Sequence, residues 1–103
     1  MNNNTVKIST ENPIRIDVSG CKYPDLLHDI LRDSFGFPKY YGKNWDAFWD
    51  CISEMFFVND NRVIQLTGFY SLPEELREYC SPMLEIFQDI HTEHPGVTFQ
   101  ILS

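Results

Sequence analysis

The sequence predicts an α/β fold, a small three-stranded parallel sheet covered by three to four helices. Three observations lead there. Residues 14–18, 62–68 and 97–103 are short runs of strand-forming character. The stretches between them carry apolar residues at helical spacing. Strands that alternate with helices pair in parallel, through right-handed crossovers.

Taken in order, residues 1–12 read as a lead-in to a single domain spanning 1–103, with a short strand at Val6 to Ile8. In "IRIDV", Ile14, Ile16 and Val18 alternate with Arg15 and Asp17, the pattern of a strand with one buried face. In "YPDLLHDILRDSFG", Pro24 suits a first helical turn and Gly36 a helix stop. Leu26, Leu27, Ile30 and Leu31 form its apolar face, and His28 falls towards the polar, solvated side. "FPKYYGK" is a loop, and Asn44 caps a helix from about Trp45 to Met55. "NDN" at 59–61 is a turn, and "RVIQLTG" a buried strand. "SLPEE" opens a further helix, with Ser71 and Glu74 in capping-box spacing. A break at Cys80–Ser81–Pro82 starts another, running to about Glu93; "HPG" ends it, and "VTFQILS" is the last strand.

At 103 residues the chain is long enough to bury a core without metals or disulfides. Cys21, Cys51 and Cys80 are odd in number and irregularly spaced, which points to free thiols in a reducing compartment. No apolar run approaches the roughly 20 residues of a membrane span. The first ten residues lack the apolar centre of a signal peptide, so the expected location is the cytoplasm. The net charge is −7 and unevenly spread. Residues 1–43 carry five acids and six bases; residues 44–103 carry ten acids and only Arg62 and Arg77 as bases. Such a half repels nucleic acid and anionic lipid and attracts basic surfaces.

The segment "PKYYGKNWDAFWD" concentrates this character. On a helical wheel Phe48, Ile52, Met55 and Phe56 gather on a core face. Asp46 and Asp50 share another face with Ser53 beside them, and Trp49 sits between that face and the core edge. Asp46 is placed to favour the helix dipole by roughly 0.3–1 kcal/mol. Asp50 lies past the first turn, and the like pair costs roughly 0.2–0.5 kcal/mol with no Lys or Arg one turn away to relieve it. The helix after Pro82 repeats the pattern, with Glu85, Asp89 and Glu93 spaced by four opposite Met83, Ile86, Phe87 and Ile90. Two such helices suggest a shared acidic surface. A carboxylate pair doing acid–base work needs a pocket that separates its pKa values, and a hard metal needs several convergent oxygens. Neither is indicated, so a small carboxylate enzyme or metal binder ranks below a binding surface, and no cofactor is expected. Tyr40, Tyr41 and Trp49 are types enriched at binding hot spots. Gly42 would let the loop turn tightly and a partner's backbone come close.

Pro38, Tyr40, Tyr41, Gly42, Asn44, then Asp46-Ala47-Phe48-Trp49-Asp50-Cys51 resembles the defining segment of the barstar family, the intracellular inhibitors of barnase-type ribonucleases. The likeness extends over about 14–103, including the closing "ILS"; Trp45 stands where the family commonly has an aliphatic residue. It implies a barstar-like fold and a monomer when free. It implies a one-to-one complex with a basic ribonuclease, and an immunity or antitoxin role with no catalytic residues. In such inhibitors the loop and following helix plug the enzyme's cleft. By resemblance Asp50 takes the place of an RNA phosphate, Asp46 adds a second salt bridge, and Tyr40 packs beside the enzyme's histidine. Gly42, Asn44 and Trp49 complete the patch, with Ser53 beside it, and Asp89 and Glu93 extend it. The other reading of the same acidic face is a barstar-like module for a different basic protein.

Overall fold

A computed structural model of the chain describes residues 12–55 and 61–102. The lead-in strand at Val6 to Ile8, Phe56 and most of the turn at 59–61 lie outside the described residues. The sheet has three parallel strands, β1 (Ile14–Asp17), β2 (Arg62–Thr67) and β3 (Val97–Leu102), in the order β1-β2-β3. Ile64 lies between Ile14 and Phe99, and Leu66 between Ile16 and Ile101. Residues in register share a face, so these rows form the apolar floor. The opposite face carries Arg15, Gln65 and Gln100, and the Gln65 amide donates to the Gln100 carbonyl oxygen at 3.1 Å.

Four helices connect the strands: α1 (Pro24–Phe35), α2 (Trp45–Met55), α3 (Glu74–Tyr79) and α4 (Ser81–Glu93). Pro24 stands in the first turn of α1, and Gly36 closes it in the left-handed region at φ 79°, where only glycine sits without strain. The start of α2 and both ends of α4 fall where the capping and periodicity signals put them. Among the described residues one core cluster draws on all three strands and four helices, and includes Ile16, Leu66, Leu27, Leu31, Phe35, Phe48, Ile52, Leu76, Met83 and Ile90. Phe48 is central, with ring contacts to Phe35, Phe37, Trp45 and Phe87.

Two expectations are corrected here. Ser71 does not form a capping box with Glu74. It ends a short 3-10 turn, Phe69–Ser71, and its hydroxyl donates back to the Gly68 carbonyl at 2.8 Å; α3 starts only after Pro73. His28 is not solvated: it is 0% exposed, while Leu26 on the same helix is exposed. The face of α1 is rotated from the one the leucines suggest, and Leu27, His28, Leu31 and Phe35 are the side chains turned inward. An imidazole tolerates that burial because each ring nitrogen meets a tyrosine hydroxyl.

Candidate functional site: an acidic groove between two helices

The site begins with a turn. The Tyr41 N–H donates to the Pro38 carbonyl at 3.0 Å, and this sends adjacent tyrosines in opposite directions. Tyr40 is 83% exposed and Tyr41 only 6%. Of the two tyrosines of hot-spot type, only Tyr40 is therefore on the surface. Tyr41 packs on Phe37 and places its hydroxyl 2.7 Å from His28 Nδ1. Burial pushes the Tyr41 phenol far above its usual range.

Gly42 is not in the left-handed region. A Cβ there would meet only the Asn44 Nδ2 at 3.7 Å and the Ala47 Cβ at 3.8 Å, ordinary contacts. The tight-turn reading of Gly42 is thus corrected: this turn accepts a side chain at that position. Asn44 caps α2 as expected, its Oδ1 accepting the Ala47 N–H at 2.8 Å and its carbonyl accepting the Phe48 N–H at 3.0 Å.

From that cap α2 runs with Phe48, Ile52 and Met55 buried and with Asp46, Trp49 and Asp50 exposed. α4 packs alongside it. Between them lies a groove of about 430 Å³. Its apolar lining is Trp45, Trp49, Pro82 and Ile86, and its acids are Asp46, Asp50, Glu85 and Asp89. The two acidic helix faces legible in the sequence thus converge. Glu93, at the end of α4, is exposed and outside the groove lining. The Ser53 hydroxyl is buried and has no hydrogen-bond partner among the described residues. Glu85 joins the groove as its four-residue spacing from Asp89 suggests, and Trp45 lines it although its position in the sequence gives no sign of that.

The charges inside and outside this groove are treated differently. Asp29 on α1 is held by Lys43 at 3.0 Å and by Arg32 at 3.5 Å, and Asp33 by Arg32 at 3.1 Å. Lys43 holds the Asp29 carboxyl below the usual carboxylate range. Among the described residues no ion pair reaches Asp46, Asp50, Glu85 or Asp89. Four carboxylates around exposed indole and aliphatic surface suit a cationic partner: guanidinium groups pair with carboxylates and stack on aromatic rings.

Cys21 and Cys80 are buried and Cys51 half-buried, all as free thiols. Burial pushes the Cys80 thiol up to about 11, away from a reactive thiolate. The Nδ1–H of His91 donates to the Val97 carbonyl at 2.7 Å. Among the described residues no group of three or more His, Cys, Asp or Glu side chains is placed to hold a metal ion. None of the described helices is long and apolar enough to cross a membrane.

A family model described as barstar, the barnase inhibitor, matches residues 12–103. The chain belongs to the barstar family. A curated Bacillus subtilis (strain 168) protein named "Putative ribonuclease inhibitor YrdF" is 36% identical over 69 residues, covering 67% of this chain and 74% of that protein. The barstar-family match spans both walls of the groove, the loop that carries Tyr40 and all three strands.

Proposed function

We propose that this barstar-family chain is a protein inhibitor that blocks the active-site cleft of a barnase-like ribonuclease. The observation that carries the reading is the groove: four carboxylates with no cation facing them among the described residues, gathered around the exposed Trp49 beside the exposed Tyr40. A ribonuclease cleft is lined by cations that bind phosphate, and a carboxylate can stand where the phosphate would. Asp50 is the anchor, exposed on α2 and past the turn where the helix dipole would account for it. Asp46 flanks it one turn earlier on α2, and Asp89 lies across the groove on α4. Tyr40 packs against the enzyme, and Trp49 supplies apolar contact area. Gly42, which the turn itself does not require, leaves room for the enzyme's backbone. Asn44 acts by fixing the start of α2, and Ser53 and Glu93 lie at the edge of the contact. The family description and the name of the Bacillus relative support inhibition over catalysis. The complex is one-to-one, the free inhibitor monomeric and cytoplasmic, and its role that of an immunity protein guarding the producing cell.

The test is to titrate the protein into barnase-like ribonucleases while following RNA cleavage. The expected result is inhibition that saturates at equal molar amounts and weakens sharply with Asp50→Ala. Failure to inhibit any such enzyme would transfer the groove to another basic protein. RNA or ester hydrolysis by the purified chain, abolished by Asp50→Ala, would replace an inhibitor with an enzyme.

A further inference from the structure

The strongest feature outside the exposed face lies directly behind it. His28 is 0% exposed on α1, yet it touches the loop and α2 of the face and the end of α3 just before α4. Its Nδ1 is 2.7 Å from the hydroxyl of Tyr41, next to Tyr40 in the loop. Its Nε2 is 2.8 Å from the hydroxyl of Tyr79, the last residue of α3 and one residue from the Cys80 joint that starts α4. Trp45, the first residue of α2, lays its indole 4.5 Å from the imidazole, ring centre to ring centre. The Trp45 Nε1–H donates to the Tyr79 carbonyl at 3.0 Å, and the same indole lines the acidic groove. Loop, α2 and the α3–α4 joint therefore meet on one imidazole, with Trp45 the wall between it and the groove.

The two tyrosine hydroxyls use both ring nitrogens. In a neutral imidazole one nitrogen donates to a hydroxyl and the other accepts from one; protonation removes that acceptor from one tyrosine O–H.

We propose that neutral His28 is the positioning residue of the inhibitory face, holding Tyr40 and the first turn of α2 in binding geometry against α4, so that protonating it loosens the face and weakens inhibition. The proposal rests on the functional reading above for its inhibition arm only.

The groups facing His28 set the direction of its titration. Burial lowers its pKa; Asp25 and Asp29 on α1 oppose this and Lys43 in the loop adds to it. Tyr41 and Tyr79 stay protonated, each phenol pushed up by burial. Trp45, the contact from α2, does not titrate. A lowered folded pKa means that the unfolded chain takes the proton first, near pH 6.5. The stability His28 contributes is therefore fully present above that pH and is lost as pH falls through it towards the folded pKa.

The first arm of the test needs no ribonuclease. NMR titration of the free, isotope-labelled protein is expected to show a neutral His28 ring at neutral pH. The amides of residues 40–44 and the Trp45 indole N–H should move with the pKa of His28, and in His28→Gln, which keeps a donor and an acceptor without titrating, they should not. Tyr79→Phe removes one hydroxyl partner of the ring, so it should shift the pKa of His28. It serves as the readout if His28→Gln does not fold. In the second arm, inhibition by wild type is divided by inhibition by His28→Gln, which cancels the enzyme's own titration. From about pH 7.5 to about pH 5 that ratio should fall severalfold. Loop amides that ignore the titration of His28, or a ratio that stays flat, overturn the proposal. If no ribonuclease is inhibited at any pH, the functional reading fails while the NMR arm still decides the role of His28.

Discussion

Two faces of one short segment, residues 38–52, obey opposite rules. On the inner face Tyr41, Trp45, Phe48 and Ile52 are buried or half-buried, and the polar atoms among them are matched: the Tyr41 hydroxyl with His28, the Trp45 N–H with the Tyr79 carbonyl. On the outer face Tyr40, Asp46, Trp49 and Asp50 are exposed, and no cation is paired with the two aspartates among the described residues. Burial enforces partnering because an unmatched polar group away from water costs roughly 1–3 kcal/mol. Water imposes no such demand on the outer face, so an acidic and aromatic composition there reflects something other than folding. The comparison teaches which residues of a crowded motif serve the fold and which are free to serve a partner.

The two faces separate by substitution. Phe48→Ala is expected to have the largest effect, lowering stability by roughly 3–5 kcal/mol in denaturant unfolding, because its ring touches four other aromatic side chains. Asp50→Ala should reverse that pattern. Loss of roughly 2–5 kcal/mol of binding to the inhibited ribonuclease is expected, a range for buried interface charges that draws in part on barnase and barstar themselves. Stability should stay within about 0.5 kcal/mol of wild type; a large loss in unfolding experiments would mean that Asp50 supports the fold. Asn44→Ala removes the cap of α2 and should cost about 1 kcal/mol of stability, visible as a lower midpoint in thermal melts. Glu85→Gln probes the far wall of the groove, and a change of about 0.2–1 kcal/mol in binding is expected. Raised salt should slow association of the wild type more than of this variant. Equal salt dependence in stopped-flow mixing would remove Glu85 from the encounter.

The element boundaries were legible because they rest on local chemistry. Pro24, Gly36, Asn44 and Pro82 mark helix ends by their own backbone geometry or hydrogen bonding, and the strand rows follow from simple alternation. Local signals failed where two candidates competed. Ser71 has the spacing of a cap, but the turn at Gly68 claims its hydroxyl first. Gly42 looked like a turn residue, yet its φ is not one that requires glycine. The paired tyrosines look equivalent in sequence, and one turn separates them into core and surface.

The α/β order, the acidic face of α2, the matching acids of α4 and the family resemblance are all written along the chain, since helical and strand periodicity are properties of sequence neighbours. That the two acidic faces meet in one groove, with Trp45 as its inner wall, follows from packing between distant segments. Packing alone turned His28 inward onto Tyr41 and Tyr79, residues 13 and 51 positions away. A polar side chain is buried only where distant segments bring it partners, and no periodicity along α1 carries that information.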